Sequence, residues 1–204
     1  MSLLIRDSSI SRKMIAKRKA LGLDRYDEVW NGVYVMPPMP NNEHQQLVSR
    51  VNSIMQDVVG WTGLGDVLPG VNVSDRIKGW KKNYRIPDVA VFLKGGIAVN
   101  HGTHWVGGPD WLTEILSPDE EPDEKLEFYE KVRAREVLAI YREPWRIELY
   151  QLQADKLVLA GKSDLDEPNE LKSAVLPLSF QVVAGVARPL VLVRHVDGPR
   201  QWHV

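Results

Sequence analysis

The stretch Ile86-Pro87-Asp88-Val89-Ala90-Val91-Phe92-Leu93 decides how this chain is read. After Asp88 come five apolar residues, rich in β-branched and aromatic types, so a buried strand headed by one carboxylate is predicted. A second run repeats the pattern: Trp111-Leu112-Thr113-Glu114-Ile115-Leu116 is apolar around Glu114 and ends at Ser117-Pro118. A charge in a buried strand is costly unless it is paired or binds a metal. If the two strands are neighbours, Asp88 and Glu114 converge on one hard cation through oxygen ligands. The plainer alternative is a pair of strand-end acids facing solvent or bound to Arg or Lys.

Upstream, two β-rich runs flank Asn31-Gly32 within Tyr26–Met36, a strong hairpin signal because both turn positions need positive φ. Pro37-Pro38 closes the second strand. Asn41 or Asn42 then caps a helix running to Gly60, with Leu47, Val48, Val51, Ile54, Met55, Val58 and Val59 forming a core-facing stripe. Residues 65–73 predict a strand. Ser8–Leu21 reads as a peripheral helix whose Arg12, Lys13, Lys17, Arg18 and Lys19 make a solvated basic face.

Downstream, a Gly-rich excursion spans Lys94–Pro109. An acidic helix is predicted from about Pro122 to Ala134, its first-turn acids suited to the helix dipole. Strands follow at 136–141, 146–152 and 155–160, and a Pro-punctuated tail closes the chain. This order predicts one α/β (α+β) domain over 1–204, a central mixed β-sheet flanked by helices. Residues 1–23 form its peripheral N-terminal part, and 162–204 a C-terminal extension packed on the core.

Composition excludes several classes. The 204 residues are 44% apolar and 26% charged, too apolar for wholesale disorder. With no Cys, disulfide scaffolds, Cys-zinc sites, iron–sulfur clusters and thiol nucleophiles fall away. Twenty-six Lys+Arg against 27 Asp+Glu rule out a bulk polycation. No stretch reaches the roughly 18–20 apolar residues of a membrane-crossing helix, and the start lacks a secretory pattern, so a cytoplasmic protein with no membrane partner is expected. GxGxxG, P-loop and GxSxG motifs are lacking, which leaves dinucleotide, nucleoside triphosphate and serine-hydrolase chemistry without support.

Two further features carry chemistry. Arg76, Lys78, Lys81, Lys82 and Arg85 interleave with Trp80 and Tyr84 just before the Asp88 strand. They suit a backbone clamp with an aromatic on which an unpaired base stacks, or else a solvated loop. Lys125 is the lone cation in a run of acids before Lys131. As an ordinary helix-surface residue it would pair with Glu121 or Glu130, worth about 0.3–0.5 kcal/mol. His101 and His104 lack a third ligand at helical spacing, a weak zinc signal.

In matching order over residues 24–150, several segments resemble the Uma-type restriction endonuclease family of the PD-(D/E)XK nuclease superfamily. They are Tyr26–Gly32, Met36-Pro37-Pro38 through Glu43-His44, Pro87–Val91, Glu114-Ile115-Leu116-Ser117-Pro118, and Glu124-Lys125-Leu126 through Tyr129. The resemblance implies a restriction-endonuclease-like core and a metal-dependent DNA endonuclease. It also implies Asp88 and Glu114 as ligands of Mg2+, or Mn2+ in its place, with the Ile115 carbonyl as a further candidate ligand. The superfamily lysine two residues after the second acid is replaced by Leu116, and Lys125 is the matching lysine on the next helix. Glu28, His44 and Tyr129 match supporting positions. DNA is the implied partner, and a homodimer suits duplex cutting. Two alternatives stay open: a catalytically silent nucleic-acid- or protein-binding module keeping the fold, and hydrolysis of a small phosphorylated substrate.

Overall fold

The computed structural model describes residues 3–4, 8–37, 39–117 and 123–204, with the backbone alone for 3–4 and 8–11. A cap by Ser8 or Ser9, the stops at Pro38 and Pro118, and the acids Asp119 to Glu121 fall outside what is described. The first part of the chain contains β1 (Leu3–Leu4), α1 (Ser8–Ala20), β2 (Glu28–Trp30), β3 (Val33–Met36) and α2 (Asn42–Met55). Then come β4 (Gly65–Pro69), β5 (Val73–Ser74), β6 (Tyr84–Arg85), β7 (Val89–Leu93), β8 (Val99–Asn100), β9 (Trp105–Val106) and β10 (Trp111–Leu116). The last part holds α3 (Asp123–Lys131), β11 (Glu136–Arg142), β12 (Trp145–Gln153) and β13 (Lys156–Asp164). It closes with β14 (Leu171–Lys172), β15 (Leu178–Val183), β16 (Leu190–His195) and β17 (Gln201–His203).

The predicted central mixed sheet is the six-stranded β13-β12-β11-β10-β7-β4. β10 and β11 are parallel, joined through α3, and the other neighbours are antiparallel. Apolar residues line both faces because both are covered. One face meets the α2 stripe: Leu47, Val51, Ile54, Met55, Val58 and Val59 pack with Val89, Val91, Trp111, Ile115 and Ile140. Asn41 caps α2, its side chain accepting the His44 N–H at 2.9 Å. That cap contributes about 1 kcal/mol, whereas each fully buried aliphatic contributes about 1.5–3 kcal/mol, so packing holds the helix. A π-helical turn over Gln56–Gly60 ends it. The other face meets α3, with Phe128, Tyr129 and Val132 against Ala90, Phe92, Leu112 and Val137.

The sheet count exceeds the expectation of one. A seven-stranded sheet of mostly two-residue strands, β1-β3-β2-β6-β5-β9-β8, carries the hairpin beside the central sheet. Asn31 (φ 48) and Gly32 (φ 90) take the predicted positive φ. Their amides are docked by the Asn83 side chain (2.9 Å) and the Lys82 carbonyl (2.8 Å). The single strand predicted over 65–73 divides at Gly70 (φ 62): β4 stays in the central sheet and β5 crosses to the other. The tail forms a third, antiparallel sheet β14-β15-β16-β17, and Leu178, Phe180, Val182 and Val191 join the α2-side core. Its boundary is later than 162, because β13 runs on to Asp164 in the central sheet. The buried Glu136 ties the two sheets, accepting the Ala174 N–H (2.6 Å), the Gln151 amide (2.9 Å) and the Ser173 hydroxyl. Arg18 of α1 is no solvated cation: it clamps buried Asp27 at 2.6 and 2.5 Å and fixes the helix to the hairpin.

Candidate active site

β7 and β10 are antiparallel neighbours, paired up to Val89↔Thr113. One residue further along each strand stand Asp88 and Glu114, on the face that carries α3. Asp88 Oδ2 accepts the Ile115 N–H at 2.7 Å, so the carboxylate closes the gap where the ladder ends. Glu114 is only 4% exposed. Such an acid is tolerated because both oxygens are engaged. Oε2 takes the Lys125 ammonium at 2.8 Å, and Oε1 accepts the Tyr129 hydroxyl. Lys125 and Tyr129 are one helical turn apart on α3, so one helix face supplies both.

Glu28 arrives from the hairpin. It is buried, with Oε1 bound to the Ile86 N–H (2.6 Å) and Oε2 to Trp30 Nε1 (2.6 Å), and Oε1 lies 3.8 Å from Lys125 Nζ. His44, in the first turn of α2, places Nε2 3.3 Å from Asp88 Oδ1 while its Nδ1 is buried without a hydrogen-bond partner. Five elements (β2, α2, the head of β7, β10 and α3) thus bring Glu28, His44, Asp88, Glu114, Lys125 and Tyr129 together. The carboxylates are crowded: burial, with Asp88 and Glu28 nearby, pushes Glu114 up to about 7, although Lys125 opposes the shift. Lys125 is held well above the ordinary lysine value because attraction to Glu114, Glu28 and Asp88 outweighs its desolvation. It is therefore a locked ammonium. It does not pair with Glu130, which bonds Lys156 instead at 2.7 Å.

The basic loop is not one unit. Lys78, Lys81 and Lys82 are exposed. Arg76 is paired with Asp75 (2.6 Å), which also takes Lys131 of α3 (2.6 Å). Arg85 corrects the expectation of a five-cation clamp. It is buried, its guanidinium stacked over Trp30 (4.5 Å) and Phe128 (4.4 Å), because on β6 it faces the interior beside Glu28 and Glu114. Trp80 stacks on His104 at 4.7 Å, and the Tyr84 hydroxyl donates to the Asp27 carbonyl. His101 and His104 stack at 5.4 Å; among the described residues no group of three or more His, Cys, Asp or Glu is arranged to hold a metal.

Leu116 is buried in the sheet, so the position two residues after Glu114 carries no cation. Its carbonyl accepts from Arg142 Nε (3.2 Å), and Arg142 also reaches Asn41 (3.0 Å) and Glu43 (3.5 Å). Sequence reasoning missed Arg142, which no local pattern marks, and gave Trp30 no role of its own although it lies in the matching Tyr26–Gly32 segment. It also missed Arg146, Glu148 and Tyr150, although their alternation along β12 places them on one strand face.

The central mixed sheet thus presents two carboxylates on adjacent strands beside a lysine from a flanking helix. The model of the Uma2 family, described as "Putative restriction endonuclease", matches residues 22–186, and the chain belongs to that family. Among solved structures it is similar to "a putative nuclease belonging to DUF820" from Anabaena variabilis. The likeness covers 72% of this chain and 80% of that one, at 21% identity and a TM-score of 0.56, and speaks to the fold. No curated protein matches. Among the described residues no helix is long and apolar enough to cross a membrane.

Proposed function

We propose that this chain is a divalent-cation-dependent endonuclease that hydrolyses DNA phosphodiester bonds, with Asp88, Glu114 and Lys125 acting at one site. The observation that carries the proposal is the meeting of a strand acid, its neighbouring-strand acid and a helix lysine on one sheet face, with Lys125 Nζ 2.8 Å from Glu114. The donor set fits a hard cation. Asp88 and Glu114 offer carboxylate oxygens, which suit Mg2+ or Mn2+ rather than a soft metal. Two protein ligands suffice for magnesium, which keeps water in its shell and accepts substrate oxygens. Bound there, the cation supplies charge neutralisation at the phosphoryl group and a more acidic attacking water.

The chain's own residues do the positioning. The Ile115 N–H fixes Asp88, the Tyr129 hydroxyl fixes Glu114, and His44 lies against the other Asp88 oxygen. Lys125 stays protonated and donates to the charge that develops on the phosphate. Glu28 keeps a second negative group near that ammonium. A homodimer would present two such sites to the two strands of a duplex.

Plasmid nicking with Mg2+ or Mn2+ tests the proposal. Wild type nicks, and Asp88→Ala, Glu114→Gln and Lys125→Ala do not. Wild type that binds DNA without nicking under either metal would establish a silent binding module instead. A Lys125→Ala variant as active as wild type would remove the lysine from the mechanism.

A further inference from the structure

Three rows of side chains cross β10, β11 and β12 on the α3 face: Leu112↔Val137↔Tyr150, Glu114↔Ala139↔Glu148 and Leu116↔Tyr141↔Arg146. Glu148 therefore lies in the same row as Glu114, two strand spacings away, a distance of about 10 Å between backbones. Arg146 is one row further on. α3 packs over the first row through Phe128, Tyr129 and Val132, which contact Leu112 and Val137.

Arg146 is held in a fixed pose. Its Nε donates to Glu148 Oε1 at 3.0 Å, and its guanidinium lies 3.4 Å above the Tyr141 ring. Glu148 is itself fixed, because the Tyr141 and Tyr150 hydroxyls both donate to Oε2, at 2.9 and 2.7 Å. These donors hold the Glu148 carboxyl below its ordinary value, so it stays ionised and keeps Arg146 charged. The Arg146 side chain is nevertheless 29% exposed. A guanidinium has five N–H donors in a planar fork, and the bond to Glu148 uses only Nε. The remaining edge suits a phosphate, which a planar fork binds in two-point fashion.

We propose that Arg146 is a positioning residue that grips a DNA backbone phosphate flanking the scissile one. The inference rests on the nuclease reading for the location of the scissile group. On the other side of the carboxylates, α3 leads to Lys131, paired with Asp75 at the foot of the basic loop. A DNA strand crossing Glu114 then meets Arg146 on the flank away from α3's Lys131 end. A guanidinium beside the acids holds the neighbouring phosphate where the carboxylates alone would repel it.

The test is the salt dependence of binding to a fluorescein-labelled DNA duplex, measured in a Glu114→Gln background so that nothing is cut. Loss of one phosphate contact lowers the slope of log affinity against log salt by about 0.9. Arg146→Ala shows that reduction, and Arg146→Lys, which keeps a point charge, restores most of the slope. In the otherwise wild-type enzyme Arg146→Ala raises KM by about tenfold with little change in kcat. An unchanged salt slope in a folded Arg146→Ala protein, checked by its thermal transition, overturns the proposal. If Arg146→Ala does not fold, the neutral Arg146→Gln takes its place, and a slope lowered by about 0.9 supports the proposal while an unchanged slope overturns it. Should the parent bind DNA and lose slope on substitution while wild type cleaves nothing, the phosphate grip stands and the nuclease reading fails.

Discussion

The Lys125 ammonium lies 2.8 Å from Glu114 and 3.8 Å from Glu28, although the lysine belongs to a helix and the two acids to strands of different sheets. One cation therefore ties three elements at the point where the proposed chemistry occurs. Lys125→Ala leaves two buried acids facing each other without it. Cleavage falls by about a hundredfold or more, the scale of losing one preorganised charged donor. A plasmid-nicking time course with magnesium measures this.

Tyr129→Phe removes only the hydroxyl that Glu114 Oε1 accepts. The ring stays packed, so the thermal transition falls only by the loss of that one buried bond, about 2–4 °C for each kcal/mol. A hydrogen bond to a charged group contributes about 1.5–3 kcal/mol, so kcat falls about tenfold or more while KM holds. Single-turnover rates at saturating DNA check the split.

Glu114 also sets a pH dependence of stability. In the folded protein it keeps its proton up to about 7, against 4.5 for an ordinary glutamate. Between those values the native state binds more protons than the unfolded chain, so stability falls as pH rises through that window and is fully retained below it. Glu114→Gln lacks this titration. Urea midpoints at the two ends of the window should fall more for wild type than for the variant; equal falls would show that Glu114 ionises normally.

The cations before the Asp88 strand separate by burial. Replacing exposed Lys81 and Lys82 together by Ala leaves the urea midpoint unchanged and weakens DNA binding, more so at low salt. Arg85→Ala instead removes a buried guanidinium from two aromatic faces. It lowers stability by about 2–4 kcal/mol, seen directly in urea titration.

At the junction of the central and C-terminal sheets, Glu136→Ala strands the Ser173 hydroxyl, the Ala174 amide and the Gln151 side chain. Stability drops by about 3 kcal/mol. Hydrogen exchange then rises first in the β14–β15 segment, whose attachment to β11 runs through this carboxylate.

Local order was legible wherever one short-range force decides it. Positive φ at Asn31-Gly32 marked the turn, and the 3–4 spacing from Leu47 to Val59 marked α2. Apolar runs interrupted by Asp88 and Glu114 marked two strands whose acids needed a reason. The tertiary structure decided what spacing cannot encode. That β7 and β10 are neighbours is a pairing across the Gly-rich excursion, and only that pairing puts Asp88 and Glu114 on one face. Gly70 splitting one predicted strand between two sheets, and the tail forming its own sheet, follow from which surfaces remained to be covered. Arg85 reads like Lys81 or Lys82 in sequence, yet the strand parity of β6 turns it inward, where aromatic faces and two carboxylates offset the cost of burying its charge.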